Sequence, residues 1–78
     1  MKVFTIHDRD TGAQIKEYWM RRGVYTRLHD ITPLADRAAV RGKRKVEVRE
    51  YKLGEAGYKV RANYNENGFE SAFNWGEA

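Results

Sequence analysis

The dipeptide Asn67–Gly68 constrains this chain most, because it is the strongest short-range signal for a β-hairpin and it lies between two alternating segments. On one side Tyr58, Val60, Ala62 and Tyr64 share a face; on the other Phe69, Ser71, Phe73 and Trp75 do. Taking Asn67–Gly68 as a two-residue loop sets Glu66 opposite Phe69, Tyr64 opposite Ser71, Ala62 opposite Phe73 and Val60 opposite Trp75. All the large apolar groups then fall on one side, as a half-buried sheet requires, and the core is expected to hold Val60, Ala62, Phe73 and Trp75.

The segments upstream extend the sheet. Arg44–Leu53 reads as a strand in which Val46 and Val48 have one phase and Tyr51 and Leu53 the other; a bulge near Arg49–Glu50 reconciles them. Lys2–Asp8 alternates, with Phe4 and Ile6 on one face. Asp8–Arg9–Asp10–Thr11–Gly12 admits two readings. In the favoured one it is a hairpin loop, Gly12 supplies a positive φ, and Ala13–Met20 returns as a strand with Ile15 opposite Ile6. In the other, Thr11 caps a helix that ends at Gly23. Val24, Thr26 and Leu28 alternate as a short strand would. Thr32–Pro33 signals a helix start, and the spacing predicts a helix over Pro33–Arg41, stopped by Gly42 and burying Leu34 and Ala38.

The expected architecture is one α+β domain over residues 1–78: an antiparallel sheet of four or five strands with one or two short helices on one face. A chain of 78 residues buries only ~60% of the surface its unfolded form exposes, so aromatic residues must carry much of the core. Trp19, Trp75, Phe4, Phe69 and Phe73 are the candidates. Marginal stability suits either a monomer or a homodimer.

Several chemistries lack parts. Cysteine is absent, which removes disulfides and thiolate zinc sites. Ser71 is the only serine, and no glycine-rich phosphate loop precedes a helix. His7–Asp8 and His29–Asp30 repeat a His–Asp pair, but two histidines bind metal only if carboxylates complete the site. Asp8–Gly12 fails as a calcium loop, since its glycine comes one place early and Trp19 stands where the final glutamate belongs. No cofactor and no metal are expected. The chain, read as complete, shows no signal peptide and no apolar run of the ~18 residues that span a bilayer, so the expected compartment is the cytoplasm.

Charge is the remaining signal. The net charge is +4, distributed as +2 over Met1–Asp30, +4 over Ile31–Lys52 and −2 over Leu53–Ala78. Arg37, Arg41, Lys43, Arg44, Lys45 and Arg49 form the basic focus and are the expected partner-binding residues; Arg21, Arg22 and Arg27 form a second cluster. Such a patch draws an acidic protein surface or phosphates. Glu47 and Glu50 interrupt it, which favours a protein or ribonucleoprotein partner over free nucleic acid.

From Val40–Arg41–Gly42 to Asn67–Gly68, through the basic strand and Gly57–Tyr58–Lys59–Val60–Arg61, the order of elements resembles the RelE-type ribonuclease toxins. That resemblance covers about a third of the chain. It implies cleavage of messenger RNA on the ribosome by Arg, Lys and Tyr or His. The chain departs from the pattern in Phe69–Trp75, which lacks basic residues and a final Tyr or His. The primary expectation is therefore a non-enzymatic binding protein, a phage or mobile-element inhibitor or modulator (anti-CRISPR-like) of a nucleic-acid-handling host complex. Direct nucleic-acid binding and a RelE-like ribonuclease are the alternatives.

Overall fold

A computed structural model describes residues 1–73. Its elements follow the order β1 (Lys2–Asp8), α1 (Leu28–Gly42), β2 (Val46–Lys52), β3 (Lys59–Asn65) and β4 (Gly68–Ala72). The strands form one antiparallel sheet in the order β1-β2-β3-β4, and α1 packs across all four. The α+β architecture expected from the sequence is the one observed.

The core lies between helix and sheet. β1 contributes Phe4 and Ile6, β2 Val46 and Val48, and β3 Ala62 and Tyr64. α1 buries Ile31, Ala35, Ala38 and Ala39, the spacing of one helical stripe. Three of those four are alanines, so the helix backbone can approach the sheet closely. Trp19, expected as a core ring, packs half-buried at the margin.

The helix corrects the expected boundaries at both ends. It starts at Leu28, five residues before Pro33, and Thr32 is not its cap; Arg27 occupies that position without a side-chain cap bond. Pro33 is tolerated in the second turn because it is exposed, and only the His29 carbonyl loses its helical donor. Burial of Ile31 against the sheet outweighs that loss. At the far end Gly42 stays helical and Lys43 takes the left-handed conformation (φ 49°, ψ 54°). The N–H groups of Lys43 and Arg44 then close on the carbonyls of Val40 and Ala39 at 3.3 and 3.1 Å.

Residues between β1 and α1 form neither the full strand nor the helix weighed for them. Gly12 has the expected positive φ of 80°, and Ile15 N–H donates to Ile6 O at 2.9 Å. The return strand holds only this far. The chain swings out over Lys16–Val24 and rejoins β1 at Tyr25, which exchanges two backbone hydrogen bonds with Phe4 (2.6 and 2.9 Å). Ile15 and Tyr25 are buried beside Ile6 and Phe4, whereas the stretch between them carries Lys16, Glu17, Arg21 and Arg22 and loops into solvent. An interrupted fifth strand thus covers the outer edge of β1. The strand expected over Val24, Thr26 and Leu28 reduces to the Tyr25 bridge, and Leu28 is helical.

Two register shifts overturn the expected pairing at the other side of the sheet. Val48 faces Ala62 but Arg49 faces Val60, so the extra residue of the bulge is Arg61 on β3. Tyr51 therefore stays on the face away from the helix, opposite Val3. Val60 turns to that face too, while Arg61 turns to the helix side. In the last hairpin Asn65 pairs with Gly68, which makes the loop Glu66–Asn67, followed by Gly68 at φ 108°. The loop is still two residues long but lies one position earlier than expected, and the second shift, between Asn63 and Tyr64, leaves Glu70 as the extra residue on β4. Gly68 also allows Asp36 of α1 to come close, since an added Cβ would sit 3.1 Å from its carboxylate. Tyr64 then faces Phe69, and Ala62 faces Ala72. Phe69 meets Tyr64 edge-on with ring centroids 5.8 Å apart but is 61% exposed, and Phe73 is 38% exposed. Neither is a core ring. Trp75 and its expected pairing with Val60 lie outside the described residues. No helix among the described residues is long and apolar enough to cross a membrane.

Candidate binding surface around Trp19

The excursion Lys16–Val24 lays Trp19 against α1. A tight turn, with Met20 N–H on Glu17 O at 2.9 Å, sets the ring's position, and Gln14 Nε2 bonded to Gly23 O at 2.7 Å ties the base of the loop. The Arg37 guanidinium of α1 stacks over the Trp19 ring, 5.2 Å from its centroid. One helical turn on stands Arg41, exposed. Trp19 is flanked by two open hollows. One, of about 220 Å³, is bounded by Glu17, Tyr18, Ala38, Arg41, Gly42 and Arg44. The other, of about 340 Å³, is bounded by Arg21, Arg22, Tyr25, Asp30 and Leu34. Tyr18 projects almost wholly into solvent, at 91% exposure.

The two basic clusters of the sequence thus meet at one indole. Among the described residues no carboxylate lies within 4.0 Å of the charged groups of Arg21, Arg22, Arg37 or Arg41. Arg44 is committed locally: its Nη2 pairs with Glu17 at 2.6 Å, and its Nε is buried without a hydrogen-bond partner. Lys43 and Lys45 are exposed beyond the helix end. Joining the clusters depends on how the Lys16–Val24 loop folds, which strand and helix periodicity do not report. The adjacency of Trp19 to Met20–Arg21–Arg22 was the available clue.

Arg49 does not belong with the others. It lies on the face of the sheet away from α1, its side chain only 13% exposed, with Nε on Glu47 at 2.5 Å and its guanidinium 4.0 Å from the Tyr58 ring centroid. Burial lowers its pKa, but hydrogen bonds with Tyr51 and Glu47 outweigh this and raise it above the ordinary range. Alternation within β2 dictates the separation, since Arg49 and Val48 must point to opposite faces.

Other candidate groups serve the fold. His7 Nδ1 donates to Gly12 O at 3.0 Å, and Nε2 accepts from Thr5 Oγ1 at 2.8 Å, so both ring nitrogens are occupied. Among the described residues no group of three or more His, Asp or Glu side chains is placed to hold a metal ion. Of the residues carrying the toxin resemblance, Arg61 is tied to Glu50 on the helix side, whereas Tyr58 stacks on Arg49 on the opposite face. Glu70 on β4 is claimed by Arg9 and Asn65, whose hydrogen bonds hold its carboxyl below the usual range. Comparison with protein-family models, curated proteins and solved structures finds no match to this chain.

Proposed function

We propose that this protein is a non-enzymatic binding module that engages an acidic surface of a protein or ribonucleoprotein through the arginine face around Trp19. The observation that carries the reading is the Arg37–Trp19 stack with Arg21, Arg22 and Arg41 around it, none of them with a carboxylate within 4.0 Å among the described residues. Tryptophan and arginine are the residues that most often dominate interface energetics, and stacking presets the guanidinium for bidentate contact with carboxylates. A small, basic, cysteine-free chain of this kind suits a cytoplasmic inhibitor or modulator of a nucleic-acid-handling complex, of the phage or mobile-element (anti-CRISPR-like) type. Electrostatic steering supplies fast encounter, and the rings supply contact that salt does not screen.

Affinity capture from a lysate, with and without nuclease, tests this reading. The expected result is a stoichiometric protein partner that survives nuclease treatment. Loss of all captured protein with the nucleic acid would show that the chain binds nucleic acid itself.

A further inference from the structure

We infer that the hollow between Trp19 and Leu34 receives an apolar or aromatic side chain of the partner, set between acidic residues that Arg21 and Arg22 hold on one side and Arg37 and Arg41 on the other. This rests on the binding role proposed above and names the chemistry of its partner: an acidic peptide segment with a single apolar anchor.

The walls of the hollow decide the occupant. Trp19, Tyr25 and Leu34 give it an apolar lining, and the Tyr25 hydroxyl is held by the Arg22 N–H at 3.3 Å. Its volume of about 340 Å³ is at the lower end of the ~300–1,000 Å³ of small-ligand pockets, room for one large side chain rather than an extended ligand. Arg21 and Arg22 stand at its rim, and Arg37 continues the positive charge across the indole toward Arg41. A carboxylate, Asp30, also stands in the wall, 3.9 Å from Arg27 Nε. That group repels any anion set directly beside it, and it can accept the backbone N–H of a peptide, a donor that a phosphodiester backbone lacks. The second acid, Glu17, lies on the other flank of Trp19 paired with Arg44, so the positive surface is divided rather than continuous. Two arginine pairs separated by an apolar hollow thus complement carboxylates spaced about an apolar residue better than an evenly charged run of phosphates.

The test is an NMR titration of the isotope-labelled protein with three probes: a short peptide bearing one phenylalanine between runs of glutamate, the same peptide with alanine for phenylalanine, and a short oligothymidylate. The phenylalanine peptide should shift the Trp19 indole, Tyr25 and Leu34 signals, and bind about tenfold tighter than the alanine peptide, as burial of one ring requires. Arg21→Glu with Arg22→Glu, both exposed, should leave the spectrum folded and weaken that peptide by at least about tenfold. Equal affinity of the two peptides, including no binding by either, overturns the anchor site while the captured partner still tests the broader reading. Tighter binding of the oligothymidylate than of either peptide overturns both.

Discussion

Glu50 is the residue whose position sequence patterning least prepares one for. It continues the Val46–Val48 alternation, so β2 delivers a carboxylate to the core face, opposite Phe4 and only 3% exposed. The β3 bulge supplies the remedy by turning Arg61 to the same side, where its guanidinium pairs with Glu50, and Lys2 Nζ approaches to 3.8 Å. Removing one partner of a buried pair strands the other charge, whereas replacing both with apolar groups does not. Arg61→Met should therefore lower stability by about 3 kcal/mol, and the double variant Glu50→Met/Arg61→Met should cost clearly less. Urea unfolding of the two variants measures this; equal losses would show that the pair contributes only packing. Individual core residues of the Phe4–Ile6 and Val46–Val48 type were legible because simple alternation places them. Glu50 and Arg61 were not: the bulge expected near Arg49–Glu50 falls at Arg61 on β3 instead, so β2 alternates unbroken and brings Glu50 to the core face, while Arg61 is turned to the same side.

Among the elements, β1 was legible to the residue, and β2 and β3 to within two. Proline signals a helix start, so the sequence predicts α1 five residues short at its N-terminal end. Tertiary burial of Ile31 and Leu28 extends the helix through Pro33. The helix end holds a similar conflict: Gly42 stays helical and Lys43, with a Cβ, takes the left-handed conformation. A non-glycine residue there is strained by ~1–2 kcal/mol. Lys43→Gly should thus stabilise the protein by about 1 kcal/mol, after the extra unfolded-state entropy of glycine. A raised melting temperature checks it; a fall would mean that Lys43 makes a contact worth more than the strain. The final hairpin was legible in existence but not in register. Asn67–Gly68 marks the turn without fixing whether Gly68 lies in the loop or just after it, and the bulge at Glu70 has no signal in the alternation; Phe69 and Phe73 end at the margin rather than in the core.

At the scale of the molecule, charge is segregated by the fold rather than by the chain. Arg21 and Arg22 are distant in sequence from Arg37 and Arg41, yet the interrupted fifth strand carries them to the same indole. Arg49, close to them in sequence, is sent to the opposite face. The basic character of the proposed site was thus visible in the sequence; its membership was not, because a loop of irregular conformation sets it. Exposed charges of this kind contribute little to stability, so they can be reversed without unfolding the protein.

In the binding role proposed above, the face around Trp19, and not net positive charge, engages the partner. The affinity of the captured partner for two charge-matched double variants tests it most directly. Arg37→Glu/Arg41→Glu alters this face, and Lys52→Glu/Lys59→Glu alters the same charge at the distant ends of β2 and β3. We expect the first to weaken binding by at least about tenfold and the second by less than about threefold near physiological salt. Equal loss in both, or no loss in the first, would contradict the account.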